Sequence, residues 1–239
     1  MKKAIVIGAS SGIGRELALI LAREGYEVGL VARRGHLLLS LQKEIETRSY
    51  IKQIDMARVS EAMAGITSLI QEMNGVCLFI ICAGIGFINP ELIWDKERET
   101  IEVNVLGFCA MANVAMNHFL AQGNGHLVGI SSVSALRGNG SAPAYNASKA
   151  FISNYLEGMR QRAFKSKKEI AISDIKPGFM ATEMAKGSTV FWAASPQKAA
   201  GQVYSTIKKK RYHAYITRRW RLIAWLLKLV PRYLYDRLV

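Results

Sequence analysis

Tyr145 and Lys149 stand four residues apart in the stretch SAPAYNASKAF (141–151). A helix there carries a phenol and an ammonium on one face, one turn apart. A neighbouring ammonium favours the phenolate, drawing a hydroxyl of ordinary pKa about 10 toward proton exchange at neutral pH. Two serines, Ser131 and Ser132, end an apolar run, and Asn104 lies in IEVNVLGF among apolar neighbours. An amide buried in such company needs partners. The set comprises hydroxyl, phenol, ammonium and amide, and it suits proton transfer to and from a polar oxygen.

A second constellation lies near the start of the chain. GASSGIG places Gly8, Gly12 and Gly14 at the join of an apolar run and a helical pattern. Gly8 can take a tight turn, and Gly12 and Gly14 let backbone and helix approach a pyrophosphate held at the helix N-terminus. The spacing is GxxxGxG rather than GxGxxG, and an ordinary strand-to-helix turn is the competing reading. About twenty residues on, the next apolar run ends in Ala32, Arg33 and Arg34, where a carboxylate would select NAD. Two guanidinium groups there favour the 2′-phosphate of NADP(H). Otherwise they belong to a solvated loop.

These residues need a scaffold, and hydrophobic periodicity supplies it. Strands are expected over 2–9, 26–33, 49–55, 76–84, 125–132 and 169–178, and helices over 13–24, 36–47, 58–73, 95–121, 143–164 and 196–209. RYHAYIT (211–217) suits a last strand. Alternating strands and helices imply an α/β chain of one domain over 1–239, a doubly wound parallel sheet of the Rossmann type with about seven strands and helices on both faces. Ser131, Ser132 and the glycines then fall at strand carboxyl ends, where such sheets bind ligands.

Charge is unevenly spread. The chain of 239 residues has a formal net charge of +14. Residues 186–239 hold 12 Lys/Arg against one acid, a net of +11, and residues 1–185 hold 20 against 17, a net of +3. Charge confined to a tail argues against general nucleic-acid binding and for a membrane surface or a partner. The basic, apolar extension 208–239 includes WRLIAWLLKLV (220–230), whose 11 residues are too few to span a bilayer, which takes about 20. It either packs on this subunit or a neighbouring one or lies in peripheral contact with a membrane; helical apolar stripes favour packing. Cys77, Cys82 and Cys109 follow no ligand spacing, so reduced thiols and no metal are expected. The opening MKKAIVIGASSGIG lacks a signal-peptide pattern, which with reduced thiols suggests a cytoplasmic protein.

Taken in order, GASSGIG (8–14), Asp55, CAG (82–84), NVLG (104–107), ISS (130–132), YNASK (145–149) and PGFMAT (177–182) resemble the short-chain dehydrogenase/reductase superfamily. The resemblance covers about residues 3–185. It implies an oxidoreductase transferring a hydride between NADP(H) and a carbonyl or secondary alcohol. It selects Ser132, 13 residues before Tyr145, over Ser131. Tyr145 would be the general acid or base, Ser132 the partner of the substrate oxygen, Lys149 the ammonium that also bonds the nicotinamide ribose, and Asn104 the holder of a relay water. Gly8, Ser10, Ser11, Gly12, Ile13 and Gly14 would bind the cofactor at the glycine turn, Tyr145 and Lys149 would also contact it, Arg33 and Arg34 would take the 2′-phosphate, and Arg15 would be a candidate helper. Asp55 and Met56 would meet the adenine, Ala83 and Gly84 the ribose, and Pro177, Gly178 and Thr182 the nicotinamide end. A homodimer or homotetramer is also implied. Cys82 departs from the family's Asn, and Ser11 stands where NADP users often carry a basic residue, which leaves Arg33 most of the preference. Residues 179–196, with Phe179, Met180, Met184, Phe191 and Trp192, would form a lid over a hydrophobic substrate or pack in the core. A non-catalytic NADP-binding scaffold or sensor, or a membrane-surface reductase of lipid-like substrates, remain as alternatives.

Overall fold

The structure, a computed structural model, describes residues 2–178 and 194–238. Among the described residues, seven strands form one sheet in the order β3-β2-β1-β4-β5-β6-β7, and every neighbouring pair is parallel. They are β1 (Lys2–Ile7), β2 (Tyr26–Ala32), β3 (Ser49–Gln53), β4 (Leu78–Ile81), β5 (Asn124–Ile130), β6 (Glu169–Pro177) and β7 (His213–Ile216). The order reverses between β1 and β4, which opens a crevice at their carboxyl ends. This is a doubly wound, Rossmann-type sheet, as the alternating pattern implies.

The strand period of two divides the core between both faces of the sheet. Ala4 and Val6 of β1 face one side, packed with Leu17 and Leu21 of α1 (Gly12–Arg23), Leu38 of α2 (Gly35–Gln42) and Val203 of α7 (Pro196–Lys208). Ile5 and Ile7 face the other side. There they meet Ile66 of α3 (Val59–Glu72), Phe108 and Phe119 of α5 (Phe108–Gln122), and Ile152 and Leu156 of α6 (Pro143–Lys165). Phe79, Phe108 and Phe119 are fully buried, each worth about 1.5–3 kcal/mol relative to exposure.

Local signals set several element ends. Pro143 and Pro196 occupy the first turns of α6 and α7, where a missing N–H costs nothing. The Ser195 hydroxyl accepts from the Lys198 N–H at 3.3 Å and caps α7. Gly123, at φ +90°, stops α5 directly before β5. The expected helix over 36–47 ends at Gln42, where turn bonds to Leu41 and Gln42 carry Ile45 into the core.

The largest departure is in the expected helix over 95–121. Its start, α4 (Trp94–Ile101), passes into a π-helical segment, Glu102–Gly107, before α5 begins. Asn104 sits in that widened turn, fully buried, and such turns gather at functional sites. The run Trp94–Gln122 has the length and composition to cross a membrane, yet more than half of its most apolar 18-residue stretch is buried in the protein. It is a core helix of this sheet.

Beyond β7 the chain forms α8 (Trp220–Leu229) and α9 (Arg232–Leu238). Pro231 separates them because its preceding residue, Val230, is extended.

Candidate active site

The glycine turn is built by close approach. Gly8 has φ +89°, and its N–H and that of Ala9 both donate to the Val31 carbonyl, at 2.7 and 3.1 Å. A Cβ on Gly14 would lie 2.2 Å from the Gly8 oxygen, so only glycine lets α1 start this close to the turn. Ser11 stands at the N-cap with no side-chain cap bond, which leaves first-turn amides of α1 directed at the crevice. Ala83 donates to the Ile7 carbonyl at 3.0 Å, which brings the segment after β4, with Gly84, against the turn. Asp55 and Met56 follow β3; the Asp55 carboxylate accepts from the Ala57 N–H at 3.0 Å, and Met56 is buried against Gly107. The cradle has the shape and donors that a dinucleotide pyrophosphate needs.

The arginines divide differently from expectation. The Arg34 guanidinium donates to the hydroxyls of Ser10 and Ser11, at 3.1 and 2.7 Å, across the mouth of the turn. Arg33 points elsewhere and stands 3.9 Å from the Glu99 carboxylate, with both side chains about half exposed. Arg15 is engaged by Glu44 at 2.6 Å and Glu16 at 3.2 Å. The guanidinium nearest the turn is therefore Arg34, the one to which sequence reasoning gave less weight. Which arginine faces the turn depends on the loop leaving β2, and residue order does not show it.

Tyr145 and Lys149 lie on the first turns of α6, and the Lys149 ammonium stands 5.7 Å from the Tyr145 ring centre. Lys149 donates to the Ile130 carbonyl at 3.1 Å and is buried. Burial lowers its pKa to about 8, with Cys82 and Asp174 opposing the shift. Cys82 is itself pushed up to about 12 by burial, so it faces the ammonium as a neutral thiol. The phenol of Tyr145 is raised above its ordinary value by burial, and a hydrogen bond with Ser132 partly offsets this. The expectation of a phenol acidified by Lys149 is thus corrected for the chain alone. Desolvation outweighs the ammonium, which is turned to the Ile130 carbonyl.

The adjacent serines take opposite faces. Ser131 donates to the Asp174 carboxylate within a buried cluster that includes Lys176 and Ser153. Ser132 faces Tyr145, and its hydroxyl accepts from the Ser134 N–H at 3.0 Å at the head of a short 3-10 turn, Val133–Leu136. Strand alternation thereby separates a structural serine from the one in the site.

Asn104 joins the two halves of the site. Its side-chain oxygen accepts from the Ile85 N–H at 2.9 Å, and its amide donates to the Ile85 carbonyl at 2.7 Å and to the Ser148 hydroxyl at 3.0 Å. Ser148 in turn donates to the Tyr145 carbonyl at 2.7 Å. Both amide hydrogens are committed to protein acceptors, so a water would have to use the oxygen or the backbone.

Three further residues shape the site. A Cβ on Gly86 would meet the Tyr145 ring at 2.4 Å, so the phenol rests on that glycine; the second glycine of CAGIG is its only signal. Asn146 donates to the carbonyls of Ser134 and Arg137, at 3.2 and 2.8 Å, and ties the loop after β5 to α6. Trp220 packs on Gly178, where a Cβ would lie 2.1 Å from the indole, a contact between distant segments that no local pattern foretells. Pro177 and Gly178 end β6 beside Ser132, while Thr182 and the proposed lid residues Phe179, Met180, Met184, Phe191 and Trp192 lie outside the described residues.

Comparison with known proteins agrees with this geometry. The sequence model for short chain dehydrogenases matches residues 2–190. An uncharacterized oxidoreductase of Myxococcus xanthus is 34% identical over 188 residues, covering 77% of this chain and 74% of that protein. Among solved structures, a short chain dehydrogenase from Burkholderia cenocepacia in complex with NADP superposes with a TM-score of 0.85 at 22% identity, over 100% of this chain and 99% of that one. A short chain dehydrogenase/reductase from Burkholderia phymatum in complex with NAD gives 0.85 at 20% identity, over 94% and 92%. The structural matches bear on the fold, and the sequence matches bear on descent. The chain belongs to the short-chain dehydrogenase family of oxidoreductases.

Proposed function

We propose that this oxidoreductase interconverts a carbonyl compound and a secondary alcohol with NADP(H), using Tyr145 as general acid and base. The observation that carries the reading is the meeting of Tyr145, Ser132 and Lys149 at the carboxyl ends of β4 to β6, beside the Gly8–Gly14 cradle. The nicotinamide, when bound, supplies or accepts the hydride. The Tyr145 hydroxyl gives its proton to the carbonyl oxygen in reduction and recovers it in oxidation. Ser132 donates to the same oxygen and stabilises the charge that develops there. Lys149, positive below about pH 8 and held beside the ring by the Ile130 carbonyl, would stabilise the phenolate left behind. Asn104 braces this arrangement by fixing Ile85 against the helix that bears Tyr145.

The preference for NADP(H) rests on Arg34, aided by Arg33, and on the absence of a carboxylate at the end of β2. Known relatives of this fold hold either cofactor, as the Burkholderia structures do. We further propose a hydrophobic substrate and a homo-oligomer; Leu106 and Phe151, exposed on the long helices, support a subunit contact. A screen of ketones, aldehydes and alcohols, followed by the absorbance of reduced nicotinamide, tests the reading. Turnover that vanishes in Tyr145→Phe while NADPH binding persists supports it. Tight NADPH binding with no turnover of any carbonyl or alcohol would instead favour a cofactor-binding scaffold.

A further inference from the structure

Helix α8 carries two apolar stripes where a surface helix needs one. At 100° per residue, Trp220, Ile223, Ala224 and Leu227 share one face, and that face is buried or half-buried against the sheet end. Leu222, Trp225, Leu226 and Leu229 share the opposite face and are exposed by 55 to 68%. Arg221 and Lys228, seven residues apart, occupy the flank between the stripes. Tyr233 and Leu234 extend the exposed apolar surface onto α9. Residues 218–238 contain six Lys/Arg and one acid, Asp236.

The position of this surface is fixed. Arg137 donates to the carbonyls of Leu227 and Val230, at 3.2 and 2.9 Å, and stacks on Tyr235, whose hydroxyl donates to the Gly138 carbonyl at 2.7 Å. Trp220 rests on Gly178. Helix α8 therefore lies over the carboxyl ends of β5, β6 and β7, on the side where the site opens. A second exposed apolar segment, with Ile88, Leu92 and Trp94, joins the same loop, where the Asn89 N–H donates to the Ser141 carbonyl at 2.7 Å.

We propose that the outer face of α8 and α9 docks on an anionic phospholipid surface, with the segment around Trp94 as a second foot. Charge complementarity selects this occupant. A two-fold contact between copies through this face would bring like-charged rims together, each with six cations and one acid. Lipid phosphates neutralise them, and the Arg and Lys stems can reach headgroups while the apolar stripe enters the acyl boundary. The 10 residues of α8 are about 15 Å long, so the helix lies in the interface rather than across it. Docked in this way, the site mouth faces the bilayer.

Flotation of the full chain with vesicles of phosphatidylglycerol and phosphatidylcholine, and with phosphatidylcholine alone, tests the proposal. The chain is expected to float with the anionic vesicles and to be released by high salt. The pairs Trp225→Ser with Leu229→Ser, and Arg221→Glu with Lys228→Glu, are each expected to weaken flotation at least about tenfold. Tyr145→Phe is expected to float like the parent, which separates docking from the redox reading. Absence of flotation with anionic vesicles, or flotation unchanged in both pairs, overturns the proposal. A dimer that falls to monomer in the Trp225 and Leu229 pair, with no lipid binding in the parent, assigns the face to a second copy.

Discussion

The Lys149 ammonium stands 5.7 Å from the centre of the Tyr145 ring and donates to the Ile130 carbonyl at 3.1 Å, inside the protein. Holding a charge there opposes folding, since burial takes the lysine from 10.5 to about 8. Between those values the unfolded chain binds a proton that the native chain does not, so this group makes stability rise with pH from about 8 to 10.5. Lys149→Met removes the buried charge. The variant should lose turnover, gain about 1–3 kcal/mol of stability at pH 7, and lose that part of the alkaline slope. Urea denaturation at several pH values, beside an activity assay, checks all three.

The glycine cradle makes a steric prediction. Gly14→Ala puts a Cβ 2.2 Å from the Gly8 oxygen, and the atom it meets is backbone, which cannot rotate away. Helix α1 must shift, at a cost of about 1–3 kcal/mol, and its N-terminal amides move with it. NADPH affinity, read by fluorescence titration, should fall by about tenfold or more. Unchanged affinity would place the cofactor away from this turn.

Arg34 separates the two nicotinamide cofactors. It already bonds Ser10 and Ser11 across the turn, while Arg33 leans toward Glu99. Arg34→Ala should raise the KM for NADPH by about tenfold, in line with loss of about 1.5–3 kcal/mol from a charge-assisted contact, and leave that for NADH within about twofold. Arg33→Ala should have the smaller effect. Equal losses for both cofactors would remove the 2′-phosphate from this corner.

What was legible in the sequence follows from the range of the interactions involved. The parallel sheet was readable because each buried strand is a short apolar run and the helices between strands carry an apolar stripe. Gly8, Gly12 and Gly14 were readable because a turn constrains its own residues. The partners of the Asn104 side chain were not, since Ile85 and Ser148 are 19 and 44 residues away. The direction of the Arg33 and Arg34 side chains, the rise in the Tyr145 pKa and the seat of Trp220 on Gly178 likewise arise only once distant segments meet. For α8, residue order showed an apolar helix with basic neighbours, while the fold showed which stripe is covered.

Acid should weaken the sheet through His126. It lies buried on β5 and shares a 2.8 Å hydrogen bond with the Ser173 hydroxyl on β6, and Ser173 donates onward to the Arg211 carbonyl at 2.6 Å. Burial, with Lys210 adding to it, lowers the imidazole pKa to about 4. The unfolded chain takes up a proton near pH 6.5, and the native chain only near 4. Stability from this group is therefore complete above about 6.5 and declines as pH falls toward 4, reaching a loss of about 2 kcal/mol at pH 5. His126→Gln keeps a polar partner for Ser173 and cannot titrate. Its urea midpoint should be lower than the parent's at pH 7 but should fall less between pH 7 and pH 5. Parallel slopes for the two proteins would show that His126 is not the group through which acid acts.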